Sequence, residues 1–510
     1  MFELSKNKYS KKIISVEKLQ KQINFFPRNK RVILCHGNFD VVHPGHIRHL
    51  LYAKTKADIL VVSITADKFI EKGVYRPYVP QELRALNLAT LEMVDYVVIN
   101  YQSDSTELIN LIKPNYYVKG PDYKKKEGDL AGNLSKEKRA VLKNGGKIFF
   151  TSGRQHSSSK LINEKLDFLN DDQKKNINKI KKNYSRDSLK QKFEETIKKS
   201  KKDKILVIGE IIVDTYRYVE PLGQPSKENI LSSNTISSES FFGGAIPVVN
   251  NVSQMSNNVT FISVFNNKKI KSTIKKKLNK KIKLKLFRNS NFIDIEKIRY
   301  VNNKSFSKMF EVYNFKNKSL MDKRILSDLK KNINKYDHVI VCDFGHGLID
   351  NEMVKILQKS KYISANIQTN SGNRGYNLFT KYKKLDFLSI DEPELRLGLV
   401  DKENHHEIML KKIKNKYKNV MLTKGIDGLV FKKEKSKTVY FPALATNPRD
   451  TIGAGDTTFS FASCFVKNSK DSNLISFVSA IAGALKVNII GHRSYVRLND
   501  VFKTFINLTK

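Results

Sequence analysis

Two histidines near the start of the sequence have the type and spacing to bind phosphate. They stand in the tetrapeptide His43-Pro44-Gly45-His46, between an apolar run over residues 32–34 and a stretch with helical apolar spacing. The pattern predicts a strand that ends, and a helix that begins, at the histidines, which is where open α/β sheets bind ligands. Backbone N–H groups and the helix dipole favour an anion at that position. The stretch therefore predicts a nucleoside triphosphate site.

Cations and serines further along are placed to join the same site. Lys72, Arg76 and Arg84 fall between the second and third predicted strands, and Lys119-Gly120 follows the fourth. Cations at this edge of a sheet would neutralise a triphosphate, although isolated surface charges are common. Ser158 and Ser159 open a predicted helix, where they could cap it, face the same phosphates, or do both.

A second candidate site lies near the end of the sequence. Gly453, Ala454 and Gly455 precede Asp456 and an apolar helical pattern. Glycines at a helix start leave backbone N–H groups open to a phosphoryl group, and a carboxylate beside them can accept a proton from a sugar hydroxyl. The alternative is a glycine turn in which the aspartate only caps the helix.

Three further stretches accompany this second site. Asp214 follows a predicted strand, and the pair Gly243-Gly244 permits close approach of the backbone to a ligand. Asp391 and Glu394 open another helix, where acidic side chains suit the helix dipole but could also hold hydrated Mg²⁺.

Strands and helices alternate twice along the chain, which predicts two doubly wound α/β domains. We expect a first domain over residues 1–165, a mostly helical basic connector over 166–203, and a second domain over 204–510. Residues 215–240 are polar and β-prone and predict a small lid sheet.

The composition limits the functional classes. The 510 residues carry a formal net charge of +43, but the lysines are spread over the chain instead of forming one basic stripe. Nucleic-acid binding is therefore disfavoured as the main function. The three cysteines have no metal-ligand spacing, and no segment reaches about 20 consecutive apolar residues. We expect a cytoplasmic protein without a membrane span.

The first domain resembles the cytidylyltransferase-like nucleotidyltransferases, especially the adenylyltransferase half of the heptose kinase/adenylyltransferases. The resemblance rests on the histidine stretch, on the ordered cations and on the late serines. It implies attack of a sugar phosphate on the α-phosphate of a nucleoside triphosphate, ATP or CTP, with Mg²⁺ and release of pyrophosphate. The implied catalytic residues are His43, His46 and Lys72. The implied nucleotide-binding residues are Gly37, Asn38, Phe39, Asp40, Arg76, Arg84, Lys119, Gly120, Ser158 and Ser159.

The second domain resembles the ribokinase-like (PfkB) carbohydrate kinases, through the Asp-Thr-x-Gly-Ala-Gly-Asp signature at 450–456. The resemblance implies Asp456 as catalytic base, Gly453 to Gly455 as anion hole, and ATP as substrate. The implied sugar ligands are Asp214, Gly243 and Gly244, and the implied nucleotide-side residues are Thr423, Gly425 and Gly428. Glu394 is an expected metal residue acting through water, although Asp391 replaces the asparagine usual in the family.

Together the resemblances imply sugar activation for surface glycan synthesis. A heptose-like sugar or sugar phosphate would be phosphorylated and then joined to a nucleotide. The domains stand in the reverse order to the heptose enzymes, and the lid implies a homodimer. One alternative is a glycerol-3-phosphate or lipid-head-group cytidylyltransferase fused to a separate sugar kinase. Another is a catalytically silent regulatory or nucleic-acid-binding protein.

Overall fold

The computed structural model describes residues 8–23, 28–70, 77, 79–120, 133–151, 169–315, 322–445 and 448–509. The chain divides into two compact units, 1–168 and 169–510. Each unit is built on a sheet with helices on both faces. This arrangement, with a separate small sheet in the second unit, confirms the predicted α/β class.

The first unit contains a five-stranded parallel sheet in the order β3-β2-β1-β4-β5. Its elements are α1 (Val16–Ile23), β1 (Val32–Gly37), α2 (Pro44–Lys54), β2 (Ile59–Thr65), α3 (Gln81–Ala89), β3 (Tyr96–Asn100), α4 (Thr106–Ile112), β4 (Tyr116–Lys119), α5 (Asn133–Lys143) and β5 (Lys147–Phe150).

Both faces of this sheet are buried. Ile33 and Cys35 of β1 point into one hydrophobic cluster, and Val32 and Leu34 point into the other. A strand that is covered on both faces needs an unbroken apolar run, and this is why β1 shows no polar alternation. The core holds the loop after β1 at the carboxyl edge of the sheet.

The residues expected to form a connector fold as part of the second unit. Helices α6 (Asp171–Asn183) and α7 (Arg186–Ser200) both bury one apolar face. The ring of Phe193 in α7 lies 5.1 Å from the ring of Phe465 and 5.3 Å from that of Phe505, between centroids. Most basic residues of these helices are exposed, which favoured a solvated connector, but Nζ of Lys192 lies 2.7 Å from Oδ2 of Asp471 in the second unit.

The main sheet of the second unit has nine strands in the order β10-β9-β6-β13-β14-β15-β16-β17-β18, in which only β17 runs antiparallel to its neighbours. These strands are β6 (Lys204–Gly209), β9 (Asn258–Phe265), β10 (Lys283–Arg288), β13 (His338–Asp343), β14 (Ile363–Ile367), β15 (Leu385–Asp391), β16 (Tyr417–Thr423), β17 (Leu429–Lys432) and β18 (Val439–Phe441).

The helices of this unit flank the nine-stranded sheet. They are α8 (Ala245–Met255), α9 (Lys268–Lys277), α10 (Lys323–Asn332), α11 (Asn351–Leu357), α12 (Glu392–Leu399), α13 (His406–Ile413), α14 (Ala454–Asn468), α15 (Ser472–Lys486) and α16 (Leu498–Leu508). Among the described residues, none of the helices in either unit is long and apolar enough to cross a bilayer.

A separate four-stranded sheet forms the predicted lid, in the order β12-β11-β7-β8. Its strands are β7 (Ile211–Gly223), β8 (Ser232–Gly244), β11 (Ile295–Asn302) and β12 (Lys308–Asn314). The lid is larger than the predicted 215–240 because β11 and β12, from later in the chain, complete it. Strand β7 begins directly after β6 of the main sheet, and β8 ends directly before α8. These two strand ends, the inner ends of the lid, lie at the second candidate site.

Candidate active sites

The histidine stretch of the first unit lies at the point where the strand order reverses. Strand β1 pairs with β2 on one side and with β4 on the other, all in parallel. The loops after β1 and β4 therefore leave the same edge of the sheet, on either side of a crevice. Crevices at such points are the usual ligand sites of doubly wound sheets.

His43 and His46 lie side by side at the start of α2. Nδ1 of His43 accepts a hydrogen bond of 3.0 Å from Gly45 N, so His43 caps the helix with its side chain. A neutral ring that accepts at Nδ1 carries its proton on Nε2 and donates from there. The two imidazole rings stack with centroids 3.9 Å apart. The arrangement combines two rings and a helix N-terminus, which suits a phosphate group.

The residues between β1 and the histidines form a tight loop. Phe39 has a φ of 45°, and its ring lies 5.0 Å from that of His46. A β-carbon added to Gly37 would lie 3.2 Å from the Phe39 ring, so the glycine allows this close approach.

Two other residues of the loop bond to later segments. Asp40 is buried and accepts a 2.9 Å hydrogen bond from Val79 N. Asn38 presents its carbonyl oxygen to Arg84 at 2.5 Å.

Arg84 is fully buried, and four of its five N–H groups point to protein acceptors. They bond Val79 O, Asn38 O, Thr65 O and Asp67 Oδ1. The sequence predicted a phosphate-binding cation on a helix. The structure instead places its guanidinium beneath the loop, where it ties the ends of two strands to the segment before α3. The contact of Arg84 with a nucleotide stays a prediction.

Lys119 also bonds within the protein. Its Nζ lies 2.9 Å from Oε2 of Glu137, and both side chains are buried. Oε1 of Glu137 accepts from Ser105, whose hydroxyl also bonds Tyr117. Lys119 is at the expected edge of the sheet with Gly120 directly after it, but its charge is balanced by Glu137. Lys72, Arg76, Ser158 and Ser159 lie outside the described residues.

The second site is built on the glycine turn before α14. Gly453 has a φ of 76°, a conformation that favours glycine, and α14 begins at Ala454. A β-carbon at Gly455 would meet nothing within 4 Å, so open space lies in front of this turn. The first turn of a helix leaves backbone N–H groups without partners in the helix. The turn can therefore receive an anion.

Asp456 stands in the first turn of α14 with its carboxyl group buried. Burial raises its pKa to about 6, and the effect is partly opposed by a 2.6 Å hydrogen bond from Nε2 of Gln368 to Oδ1. A carboxylate with a pKa near the working pH is suited to act as a general base.

Asp214 lies on β7 at the inner end of the lid, against the backbone of Gly243. A β-carbon added to Gly243 would lie 2.1 Å from Oδ2 of Asp214. Arg299 of β11 donates to Oδ1 and also pairs with Glu311 at 2.8 Å. Gly244, with a φ of 62°, turns the chain from β8 into α8. Asp214 and Asp456 interact electrostatically across the site.

His492 separates the lid from the glycine turn. Its Nε2 lies 3.9 Å from Oδ2 of Asp214, and its Cε1 would lie 2.4 Å from a β-carbon at Gly453. Burial lowers the pKa of His492 to about 4, so the ring is neutral at physiological pH. The ring packs on the backbone of Gly453 and spaces the two halves of the site.

The predicted nucleotide-side residues lie at the end of β16. Thr423 closes the strand, and a turn containing Gly425 (φ 57°) and Gly428 (φ 92°) leads into β17. A β-carbon at Gly428 would lie 2.2 Å from Phe441 O, so any side chain at this position would clash with the backbone of a neighbouring segment. The structure brings these residues together in one turn, and their contact with a nucleotide stays a prediction.

Asp391 and Glu394 cap α12 reciprocally. Oδ1 of Asp391 accepts from Glu394 N at 2.7 Å, and Glu394 accepts from Asp391 N and Thr369 N. Burial and the neighbouring Asp391 raise the pKa of Glu394 above its usual range. No cluster of three or more potential metal ligands occurs among the described residues. Both carboxyl oxygens of Glu394 accept a backbone N–H, and its raised pKa favours the protonated form, so a role toward Mg²⁺ through water stays a prediction.

Sequence reasoning missed Gln368, Arg299 and His492. Gln368 follows β14, and Arg299 is one of many cations in lysine-rich sequence, so neither stood out. His492 follows Gly491, a few residues after the end of α15. A glycine-histidine pair at that position was the available signal.

Two family models match the chain, one within each of the two units. The cytidylyltransferase-like family model matches residues 34–165, and the model of the pfkB family carbohydrate kinases matches residues 202–488. The fold of the second unit is similar to a crystal structure of phosphofructokinase-2 from Escherichia coli in complex with substrates and products. The TM-score is 0.50 at 11% identity, over 60% of this chain and 100% of that one.

Two similar curated proteins are both called "Bifunctional protein HldE". The one from Nitratiruptor sp. is 43% identical over 116 residues, which are 22% of this chain and 25% of that protein. The one from Campylobacter concisus is 36% identical over 168 residues, which are 32% and 33% of the two chains. The chain thus spans between a quarter and a third of the length of these relatives. Because the pfkB model covers more than half of the sequence, the chain belongs to the pfkB family of carbohydrate kinases.

Proposed function

We propose that the protein is a bifunctional sugar-activating enzyme. The second unit would transfer the γ-phosphoryl group of ATP to a heptose-like sugar or sugar phosphate. The first unit would transfer a nucleotidyl group from ATP or CTP to the resulting sugar 1-phosphate. The occurrence of both family matches on one chain supports this pairing. Its role would be to supply nucleotide sugars for surface glycans.

The kinase step is proposed at Asp456. Oδ1 of Asp456 accepts from Gln368, so Oδ2 takes the proton of the attacking sugar hydroxyl. A new bond forms between the sugar oxygen and the γ-phosphorus, while the bond from that phosphorus to the bridging oxygen breaks and releases ADP. The N–H groups at the glycine turn stabilise the charge on the phosphoryl oxygens in flight. Asp214 would orient the sugar.

The nucleotidyl step is proposed at His43 and His46. An oxygen of the sugar phosphate attacks the α-phosphorus of the triphosphate, and pyrophosphate leaves. The nucleophile is already an anion, so the step needs positioning and charge stabilisation instead of a base. The Nε2 donor of His43, the adjacent His46 and the start of α2 supply donors at the edge of β1.

Mg²⁺ would accompany both triphosphates and neutralise part of their charge. In the second unit, Glu394 would hold one of its water ligands. The residues of this chain supply the remaining contacts, through the glycine turn and the carboxylates already described.

The single observation that carries the proposal is the buried carboxyl group of Asp456 beside an open glycine turn. The test separates the two activities in the full-length protein. Asp456→Asn should abolish ADP release with a panel of sugars and sugar phosphates, while pyrophosphate release from NTPs and sugar 1-phosphates persists. His46→Ala should have the opposite effect. If His46→Ala left pyrophosphate release intact, the phosphate role of that histidine would be wrong.

The substrate panel also distinguishes the alternatives. Pyrophosphate release with glycerol 3-phosphate or phosphocholine, but with no sugar phosphate, would support the hypothesis that the first unit is a lipid-head-group cytidylyltransferase. Absence of both activities together with tight, salt-sensitive RNA binding would support a silent nucleic-acid-binding protein. Comparison of ATP with CTP in the same assay identifies the nucleotidyl donor.

We also propose that the protein forms a homodimer through the lid. The lid exposes apolar side chains that a partner copy could cover: Leu222, Ile230, Leu231, Ile236, Phe310 and Val312. Light scattering should give a dimer mass for the wild type and a monomer mass for Phe310→Asp with Val312→Asp. The domain order, reversed relative to the heptose enzymes, stays a prediction.

A further inference from the structure

Lysines are concentrated at one edge of the second unit. Residues 268–288 comprise α9, the connection after it and the edge strand β10. They contain ten lysines, one arginine and no acidic residue, whereas the whole chain has 93 lysines and arginines among 510 residues. The local density of positive charge is therefore far above the average of the chain. We call residues 268–288 the basic edge.

Most cations of the basic edge face solvent and have no counter-charge. Of the eleven, Lys285 alone forms an ion pair with a described carboxylate, that of Asp328 at 2.6 Å. Arg288 is exposed, and so are eight of the lysines: Lys268, Lys269, Lys275, Lys276, Lys277, Lys280, Lys281 and Lys283. The surface thus carries positive charge that an anionic partner could neutralise.

The apolar residues between the lysines anchor the basic edge to the protein. Ile274, Leu278 and Ile282 are buried. Strand β10 pairs in parallel with β9 on its inner side and is the last strand of the sheet on its outer side. Because the apolar side chains are occupied in the core, a partner would be bound mainly through charge.

A cleft of about 390 Å³ opens within the basic edge, between α9 and β10. Lys271 and Lys275, one helical turn apart, line its helix side. Leu284, Leu286 and Phe287 of β10 line the other side and are half-buried. A phospholipid carries its phosphate directly beside apolar chains, so a cleft with cationic and apolar walls matches this chemistry.

Nucleic acid is the other common polyanion. Proteins that hold single strands add aromatic rings on which bases stack, and arginines that contact phosphate through two N–H groups. The basic edge has a single arginine, and its single aromatic residue, Phe287, is half-buried. Its composition therefore favours a lipid surface over RNA.

Lysines on an edge strand can also serve the protein alone, because they discourage pairing with a strand of another chain. This role accounts for Lys283 on β10. It does not account for the five exposed lysines of α9, which lie on a helix and not on the strand.

We propose that the basic edge binds the anionic surface of a phospholipid bilayer, with the phosphate of one lipid at the cleft. The contact is peripheral and electrostatic. It is independent of the proposed kinase and nucleotidyltransferase activities, so each can fail without the other.

The first test is flotation of the full-length protein with two kinds of vesicle. One kind contains phosphatidylcholine alone, and the other contains in addition about one quarter phosphatidylglycerol, which is anionic. We expect the protein to float only with the anionic vesicles and to be released as salt is raised, because salt screens exposed charges.

The second test removes four positive charges from the basic edge. An exposed lysine close to an anionic membrane strengthens binding about fivefold, so loss of four should weaken it by about a hundredfold or more. The substitutions are Lys275→Gln, Lys276→Gln, Lys280→Gln and Lys283→Gln, all at exposed positions.

The matched control removes four exposed lysines from α6, which also belongs to the second unit. Its net charge is the same as that of the first variant, and we expect binding within about threefold of the wild type, because these charges lie outside the surface in contact. Both variants should keep the Tm of the wild type. The control substitutions are Lys175→Gln, Lys179→Gln, Lys181→Gln and Lys182→Gln.

Three results would overturn the proposal. Equal losses in the two variants would show that only the net charge of the protein attracts it to vesicles. Tighter binding of single-stranded RNA than of vesicles at the same salt, lost in the basic-edge variant, would assign the surface to nucleic acid. Release from vesicles by inorganic phosphate, but not by chloride at equal ionic strength, would assign the cleft to a free anion.

Discussion

Gln368 donates a 2.6 Å hydrogen bond from Nε2 to Oδ1 of Asp456, and the same nitrogen donates to Asn366 Oδ1 at 2.8 Å. The two N–H groups of the amide are therefore both used, and its orientation is fixed. One oxygen of the buried carboxylate is held by the protein, which leaves the other for a substrate. Gln368, directly after β14, thus orients the proposed base and opposes the rise in its pKa that burial causes.

Replacement of this amide should change the pH dependence of the kinase reaction. In Gln368→Leu the carboxylate loses a hydrogen bond that favours its charged form, so the pKa of Asp456 rises above about 6. The active base is the ionised form, and the acidic limb of kcat/KM moves to higher pH. A bond to a charged group contributes about 1.5–3 kcal/mol, so we expect a shift of about one pH unit or more.

Two features make this measurement specific. The other charged groups around Asp456, namely Asp214, Lys297 and Lys486, are unchanged in the variant. Gln358→Leu is the control, because Gln358 donates to Lys384 O on the surface and should leave the limb in place. An acidic limb that is unmoved in Gln368→Leu would show that Asp456 is not the titrating base.

Gly243→Ala tests the proposed sugar site. The φ of Gly243 is not positive, so alanine is compatible with the backbone, but its β-carbon would lie 2.1 Å from Oδ2 of Asp214. The carboxylate must move away from its place. We expect KM for the sugar to rise about tenfold to a hundredfold, the equivalent of one bond to a charged group.

The control for this substitution is Ser238→Ala, at an exposed position on the same strand. It should leave KM unchanged. A wild-type KM of the Gly243→Ala variant for every accepted sugar would show that Asp214 does not bind the sugar.

Arg84→Lys separates a structural arginine from a phosphate-binding one. Lysine keeps the charge but cannot reach four acceptors that surround a planar guanidinium. We expect the first unit to lose stability in urea unfolding, by about 1–3 kcal/mol for each buried carbonyl oxygen that is left without a donor.

Arg139→Lys provides the comparison, because Arg139 is exposed and makes one bond to Ser135 O. Its unfolding midpoint should match that of the wild type. If Arg84→Lys is as stable as the wild type but binds NTP more weakly, Arg84 binds the nucleotide, as predicted from the sequence.

Phe193→Ala tests whether the helices before β6 belong to the second unit. The ring of Phe193 contacts three other phenylalanines, Phe465, Phe502 and Phe505. Truncation of a buried phenylalanine costs about 3–5 kcal/mol, and the loss should appear in the unfolding of the second unit. Lys190→Ala, exposed on the same helix, should have little effect. Equal midpoints for the two variants would mean that α7 is not part of this core.

The sequence alone determined the α/β class, the presence of a small lid sheet and the places of the two loops that carry chemistry, but it did not show the strands β11 and β12 that complete the lid. Unbroken apolar runs such as residues 32–34 fix a buried strand, and the glycines before Asp456 fix a helix start with open N–H groups. These signals are local. They depend on neighbouring residues and on backbone preferences, so they can be recognised without knowledge of the rest of the chain.

Only the tertiary structure decided which of the predicted cations bond to acceptors within the protein. Arg84 and Lys119 look alike in sequence, as cations at a sheet edge, yet both are turned toward internal acceptors. Gln368 and Lys486 lie far from Asp456 in sequence and reach its site through β14 and α15. A side chain's partner depends on distances between segments that are remote along the chain, and those distances exist only after the sheets have packed.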